Sequence, residues 1–169
     1  MTRREPVAVF DIGGTFARSA LLDADDQLHF LEVRPAPSWS SLPDERTASL
    51  QERLIDLLAS DARRLARCVE VSLAGVSLGV AIDARSGLAL GSGPLWGVGS
   101  DMQFSVTAAL ERAAPEFRWS VVNDLRANAA ALAALPENRD VRRLVAVGVG
   151  SGLGLRTIDI QTEIGRAHV

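Results

Sequence analysis

The segment at residues 11–15, which reads Asp-Ile-Gly-Gly-Thr, combines residue types that together suit phosphate binding. Gly13 and Gly14 would let a ligand approach the backbone closely and would turn successive N–H groups towards an anion. The hydroxyl of Thr15 adds a further donor, and the carboxylate of Asp11 could hold a hydrated Mg²⁺ that neutralises phosphate charge. A tight hairpin in which the acid merely begins the turn fits the same residues.

A second glycine-rich segment at residues 145–155 repeats this arrangement, with Gly150, Ser151 and Gly152 at its turn. Its spacing approaches that of a dinucleotide-binding fingerprint. That motif opens a helix, however, whereas the apolar run at residues 155–160 is typical of a strand, so a Rossmann site is disfavoured. Two glycine hairpins are what a nucleotide would need if two domains clamped its phosphates from opposite sides.

The third segment is Asn123-Asp124, which follows an apolar strand pattern and precedes an alanine-rich helix pattern. Ligands of α/β proteins commonly bind in crevices at the ends of strands. A carboxylate there can accept a hydroxyl proton while that oxygen attacks phosphorus, and Asn123 could fix the proton acceptor by hydrogen bonds. The alternative is that Asp124 only caps the following helix.

The hydrophobic periods predict the elements that must position these residues. A period of two or a short apolar run indicates strands at residues 7–11, 17–22, 27–33, 69–76, 78–82, 119–122, 144–149 and 155–160. A helical period indicates helices at residues 43–68, 102–113 and 125–135, and a glycine-rich loop is predicted at residues 87–99. This order predicts an α/β fold with a mixed sheet.

Composition excludes several classes of function. The 169 residues are 47% apolar and carry a net charge of −3 with both signs mixed, which offers no surface for nucleic acid or membrane. All 18 basic residues are arginines, so a Walker-A lysine, a protein-kinase lysine and a Schiff-base lysine are absent. With the single Cys68 and neither a signal peptide nor a long apolar run, the sequence predicts a cytoplasmic protein that binds small molecules.

The stretches "FDIGGTFARSALLD", "VVNDLRANAAALAAL" and "VAVGVGSGLGL", in this order, resemble the N-terminal part of bacterial glucokinases and the related ROK sugar kinases. The resemblance spans roughly residues 7–160. It implies a ribonuclease-H-like domain of the actin-like ATPase superfamily at residues 1–137. Residues 138–162 would then be the start of a second kinase domain, including its first hairpin.

The activity that this resemblance implies is Mg²⁺-assisted transfer of the γ-phosphoryl group of ATP to a hexose, with glucose and glycolysis as the first expectation. A homodimer of the full-length protein is compatible with it. The implied phosphate-binding residues are Asp11, Gly13, Gly14, Thr15, Gly150, Ser151 and Gly152, with Asp11 also holding Mg²⁺ through water. Asp124 matches the family's catalytic base, and Asn123 matches its sugar-binding neighbour, so both are expected at the substrate.

Two departures from the family leave the sugar open. Phe16 stands where glucokinases usually have asparagine, and no asparagine occurs at residues 91–96. The alternatives are a sugar-sensing ROK-type regulator and a hydantoinase or oxoprolinase N-terminal domain, whose opening can also read Asp-Ile-Gly-Gly-Thr-Phe. The regulators carry an N-terminal helix-turn-helix, for which a first strand that begins at Val7 leaves no room.

The end of the sequence carries two further expectations. One reading frame of a common sequencing adapter encodes Ile-Gly-Arg-Ala-His-Val, the last six residues, so we expect residues 163–169 to be a non-native tail. We expect the 169-residue fragment to be inactive alone, because phosphoryl transfer needs two closing domains that exclude water.

Overall fold

The computed structural model describes residues 5–83, 86–97, 103–149 and 153–159. Three predicted features lie outside these residues: the turn formed by Gly150, Ser151 and Gly152, the beginning of the helix predicted from residue 102, and the tail at 163–169. Within the described ranges, no helix combines the length and apolar character that crossing a membrane requires.

The predicted α/β fold with a mixed sheet is confirmed. The elements in chain order are β1 (Val7–Ile12), β2 (Phe16–Leu22), β3 (Leu28–Pro35), α1 (Thr47–Ala66), β4 (Leu73–Leu78), β5 (Ala81–Ile82), β6 (Ala89–Gly91), α2 (Gly93–Trp96), α3 (Val106–Ala113), β7 (Arg118–Asn123), α4 (Asp124–Ala134), a 3-10 turn (Pro136–Asn138), β8 (Arg143–Val149) and β9 (Leu153–Asp159).

Five of these strands form one sheet in the order β3-β2-β1-β4-β7. The first three strands make an antiparallel meander, and β1, β4 and β7 run parallel. Ile12 is paired with Leu78, and Leu78 is paired with Asn123. The three parallel strands therefore end level at one edge of the sheet, and whatever residue follows each of them lies at that edge.

Helix α1 covers one face of this sheet because its apolar residues recur at helical spacing. Leu50, Leu54, Leu58 and Leu65 are fully buried and share a core with residues of every strand of the parallel part. Helix α3 packs beside α1 on the same core through Val106, Ala109 and Leu110, among others. The two helices hold the sheet rigid behind the edge at which the strands end.

Three predictions about element bounds are wrong. The predicted helix from residue 43 begins only at Thr47, because residues 38–45 are held in successive turns by bonds such as Leu42 N–H to the Ser38 carbonyl (2.8 Å). The predicted strands 69–76 and 78–82 are instead β4 and the short β5, since Val69 still bonds back to the end of α1 and Gly79 breaks the second run. The predicted loop at 87–99 contains β6 and the short α2.

The β8–β9 hairpin forms a separate two-stranded sheet and packs on α4. A second small core lies between them, formed by Ala129, Ala133, Ala146 and Ile158. Helix α4 begins directly where β7 ends, so it connects the main sheet to this hairpin.

Candidate active site

The residues that follow the three parallel strands line one cleft of about 490 Å³. Gly13 and Gly14 follow β1, Gly79 follows β4, and Asn123 and Asp124 stand at the junction of β7 and α4. The structure thus brings together parts of the first and third motifs, which lie far apart in the sequence. The remaining wall comes from Val80, Ala81, Gly91, Ser92, Pro94, Leu125, Asn128 and three residues of the β8–β9 hairpin, namely Gly148, Val149 and Gly154.

The turn after β1 contains backbone N–H groups that have no hydrogen-bond partner within the described residues. The N–H of Gly13 donates to the Phe16 carbonyl (3.0 Å) and closes the hairpin, whereas the N–H groups of Gly14 and Thr15 make no hydrogen bond within the described residues. Ser38, which is fully buried, donates from its Oγ to the Gly14 carbonyl and fixes the turn from behind. A fixed turn with uncommitted N–H groups is suited to binding an anion.

Asp11 lies beside this turn and does not line the cleft. Its side chain is half-exposed on the face of the sheet opposite α1, where Arg18 donates to its Oδ2 (2.9 Å) and Ser77 donates to its Oδ1 (3.2 Å). Thr15 is exposed and also absent from the cleft wall. Asp11 and Thr15 therefore belong to the same hairpin as Gly13 and Gly14, but neither of them lines the cleft that contains Asp124.

Asn123 and Asp124 form a small, ordered hydrogen-bond group. Asn123 Oδ1 accepts from the N–H groups of Leu125 (3.1 Å) and Arg126 (3.3 Å), so Asn123 is the N-cap of α4. Its Nδ2 donates to the Val80 carbonyl and to Asp124 Oδ1, both at 2.9 Å. The sequence offered Asp124 as the helix cap in one interpretation, but Asn123 takes that role. Asn123 also links Asp124 to the loop after β4 through its two Nδ2 hydrogen bonds.

The two carboxylate oxygens of Asp124 have different surroundings. Oδ1 accepts from Asn123 Nδ2 and from the Leu125 N–H (2.8 Å). Oδ2 makes no hydrogen bond within the described residues and faces the glycine turn: a Cβ built on Gly79 would lie 3.6 Å from Asp124 Oδ2 and 3.7 Å from Gly13 Cα. Asp124 therefore presents one anchored oxygen and, within the described residues, one free oxygen across the cleft from the Gly13-Gly14 turn.

Gly79 and Ser38 are site residues that the sequence reasoning missed. The Gly79 N–H donates to the Ile12 carbonyl (2.8 Å), and a Cβ at this position would lie only 3.3 Å from the same oxygen. A glycine inside a predicted strand is a known signal of close backbone approach, which could have identified Gly79. Ser38 lies in a proline-rich loop with no such signal.

The hairpin wall of the cleft is positioned by Leu125. Gly148 and Gly154 are paired directly across β8 and β9, and both face the Leu125 side chain, so a Cβ on Gly148 would lie 2.6 Å from Leu125 Cδ2. Because Leu125 follows Asp124, the hairpin packs against the residue next to the free carboxylate. The predicted phosphate residues Gly150, Ser151 and Gly152 come between β8 and β9 in the sequence and lie outside the described residues.

The described part of the site combines free backbone N–H groups with one carboxylate. The free N–H of Gly14 at the cleft wall suits a phosphate oxygen, the free N–H of Thr15 follows it on the same turn, and Asp124 supplies a carboxylate across the cleft. No group of three or more His, Cys, Asp or Glu side chains that could hold a metal ion occurs among the residues described. Asp11 lies beside the glycine turn, where its carboxylate could hold a hydrated Mg²⁺ through water.

A larger cavity, about 580 Å³, lies between α1 and α3 and is lined by residues such as Gln51, Asp56 and Arg112. It contains no residue of the three motifs. The smaller cleft at the strand ends is therefore the candidate site.

An α/β domain whose parallel strands end at a glycine turn and an Asn-Asp helix start, with a second glycine hairpin beside them, has the arrangement of the ribonuclease-H-like, actin-like ATPase fold. No protein-family model matches the chain. The curated 2-epi-5-epi-valiolone 7-kinase of Actinoplanes sp. is 40% identical over 157 residues, which are 93% of this chain and 42% of that relative.

Solved structures agree on the fold. The ROK family glucokinase from Streptomyces griseus, in complex with glucose and AMPPNP, has a TM-score of 0.70 at 16% identity, over 90% of this chain and 44% of that one. The inorganic polyphosphate/ATP-glucomannokinase from Arthrobacter sp. strain KM has a TM-score of 0.73 at 21% identity, over 92% of this chain and 58% of that one.

The resemblance to the N-terminal part of the bacterial glucokinase and ROK sugar kinase family, with its ribonuclease-H-like fold, is thereby confirmed. The chain spans 42% of the length of the curated relative that it matches. The activity and substrates of the whole protein are accordingly matters of proposal.

Proposed function

We propose that the protein to which this chain belongs transfers the γ-phosphoryl group of ATP to a hydroxyl group of a sugar or a sugar-like cyclitol. The observation that carries the proposal is the free Oδ2 of Asp124, which faces the glycine turn whose N–H groups are uncommitted. The kinase relative at 40% identity supports the reaction class.

Asp124 would act as the general base. The acceptor hydroxyl donates its proton to Asp124 Oδ2 while its oxygen forms a bond to the γ-phosphorus, and the bond from that phosphorus to the β,γ-bridging oxygen breaks to release ADP. Asn123 would hold the other oxygen, Oδ1, so that the carboxylate stays oriented towards the acceptor. Both of its amide hydrogens are in use, which favours this positioning role over a direct contact with the sugar.

The glycine turn would supply electrostatic stabilisation. The N–H groups of Gly14 and Thr15 are fixed before the substrate arrives, because Ser38 anchors the turn, and fixed donors need no reorganisation during the reaction. We assign Gly150, Ser151 and Gly152 to the opposite side of the phosphates. Mg²⁺, held by the phosphates and by water near Asp11, would supply the neutralising charge when bound.

The acceptor class is a hydroxylated six-membered ring. The curated relative is named for a valiolone, and the two structural relatives are named for glucose and for glucose with mannose. The acceptors to test first are therefore 2-epi-5-epi-valiolone and glucose. Glucose as the natural substrate, a place in glycolysis, a cytoplasmic location, a homodimer and ATP as the donor are predictions that the resemblance adds.

The decisive variant is Asp124→Asn, assayed in the complete protein and, in parallel, in the 169-residue chain. Loss of a general base lowers kcat by about 10²- to 10⁴-fold, and we expect ATP binding to persist because the glycine turn is intact. ADP release in the presence of each acceptor is the measurement. Asp140→Asn makes the same chemical change at a residue outside the cleft and should leave kcat unchanged.

Two results would contradict the proposal. Full activity of Asp124→Asn would show that Asp124 is not the general base. Acceptor binding without any ADP release by the unmodified complete protein would favour a sugar-sensing protein instead.

A further inference from the structure

The polar side chains that line the cleft are few, and most are already in use. Within the described residues they are Ser92, Asn123, Asp124 and Asn128. Asn123 donates both amide hydrogens, to the Val80 carbonyl and to Asp124 Oδ1, and its amide oxygen accepts from the first N–H groups of α4. Any selective contact to a bound ring must come from what remains.

Ser92 is also committed. Its Oγ donates to the Gly79 carbonyl (2.9 Å) and accepts from the Leu95 N–H (3.3 Å), so it caps α2 and joins that helix to the loop after β4. The rest of this wall consists of glycines and of Val80, Ala81 and Pro94. It can enclose a ring by contact, but it offers no free side-chain hydrogen-bonding group.

Asn128 is the exception. It lines the cleft, its residue is exposed, and its amide has no hydrogen-bond partner in the part of the chain that the structure describes. It lies four residues after Asp124 on α4, so both residues share one face of the helix about one turn, roughly 5.4 Å, apart. That separation is comparable to the distance between substituents on opposite sides of a six-membered ring.

We propose that Asn128 is a specificity-determining residue that binds a ring hydroxyl of the acceptor while a different hydroxyl reacts at Asp124. This inference rests on the proposed kinase function. A primary amide offers both a donor and an acceptor, so it can bind a hydroxyl group in either sense. An acceptor that lacks this hydroxyl loses the hydrogen bond to Asn128 and is disfavoured.

The test is Asn128→Ala in the complete protein, with 2-epi-5-epi-valiolone, glucose and the 1-, 2-, 3- and 4-deoxy forms of glucose as probes. Alanine is the better helix former, so the variant retains α4. We expect the KM for the preferred acceptor to rise about tenfold, the loss of one hydrogen bond, with the KM for ATP unchanged. The deoxy probe that lacks the hydroxyl bound by Asn128 should have the same weak affinity for the unmodified protein and for Asn128→Ala.

Asn138→Ala is the matched control, because Asn138 donates to the Leu132 carbonyl outside the cleft. Equilibrium binding of the same probes accompanies the kinetics. An unchanged acceptor KM and affinity in Asn128→Ala, or a rise in the KM for ATP alone, would overturn the assignment while the kinase function stands. An unmodified protein that neither binds nor phosphorylates these probes would overturn both.

Discussion

Asn123 and Asp124 show how two adjacent residues can take different tasks at the end of one strand. The amide of Asn123 caps α4 and holds Asp124 Oδ1, which leaves Oδ2 free to receive a proton. The same pair would serve merely as a helix start if Gly13 and Gly79 did not lie opposite. In the proposed reaction, the space in front of Oδ2 depends on the absence of a side chain at Gly79, where a Cβ would lie 3.6 Å from that oxygen.

Gly79→Ala should therefore lower activity without unfolding the protein. Its methyl group would lie 3.6 Å from Asp124 Oδ2 and 3.3 Å from the Ile12 carbonyl, so the ends of β1 and β4 must shift. Overpacking of this kind costs about 1–3 kcal/mol of stability, and we expect kcat to fall at least about tenfold, since a small misplacement of reacting groups is costly. ADP release and urea denaturation measure the two effects.

Gly75→Ala is the matched control for this prediction. Gly75 lies in β4, the strand that Gly79 directly follows, and a Cβ there meets nothing within 4 Å. Wild-type activity of Gly75→Ala together with wild-type activity of Gly79→Ala would show that the close approach at Gly79 is not required.

At the scale of elements, the β2–β3 turn depends on a single carboxylate. Asp23 Oδ1 accepts from the N–H groups of Asp25 and Gln27 (2.9 Å each), and Asp23 Oδ2 pairs with His29 Nε2 (2.6 Å). The bond from Gln27, followed by the contact with His29, lowers the pKa of Asp23 below its usual 3.8. The ionised form of Asp23 thus stabilises the turn that closes the meander.

A lowered pKa fixes the direction of the pH dependence. The stabilisation by Asp23 is complete above its unfolded-state pKa and is lost as the pH falls through the lower folded-state pKa. We expect Asp23→Asn to have a lower urea midpoint than the wild type at about pH 5 to 6, and we expect the two midpoints to converge towards about pH 2. Asp25→Asn removes a charge from the same turn without these bonds, so a pH-dependent difference of the same size there would refute the assignment.

At the scale of the whole molecule, the cleft is built across two cores. The sheet, α1 and α3 share the large core, whereas α4 and the β8–β9 hairpin share only the cluster around Ala129, Ala133, Ala146 and Ile158. Leu125 joins the two, because it packs against the facing glycines of the hairpin and follows Asp124 directly. Docking of the hairpin and placement of the carboxylate are therefore coupled.

Gly148→Ala tests this coupling. The added methyl would lie 2.6 Å from Leu125 Cδ2, so the leucine must turn or the hairpin must move away. We expect faster amide hydrogen exchange in β8 and β9 and a loss of about 1–3 kcal/mol in hairpin docking. The double variant Gly148→Ala with Leu125→Ala should recover part of this loss. Strictly additive effects would mean that the two residues do not interact.

Local patterns in the sequence predicted the sheet strands, the long helix and the position of the two glycine hairpins. Alternation and apolar runs report which residues face a core, and the apolar spacing from Leu50 to Leu65 left little choice but a helix. The boundaries that failed depend on particular hydrogen bonds: turns at residues 38–45 delay the start of α1 to Thr47, and Gly79 bonds to the distant Ile12 carbonyl directly after β4. Local periodicity carries no information about such bonds.

The sequence by itself determined which residue types were available for phosphate and proton chemistry, and where along the chain the strands that carry them end. Only the tertiary structure decided which of them meet. Gly13 and Asp124 line the same cleft together with Asn128, and Ser38 holds the glycine turn from behind. The side chain of Asp11 lies on the face of the sheet opposite α1, where it pairs with Arg18. The physical reason is that strand order and register, set by packing across the whole core, place residues distant in the chain within contact.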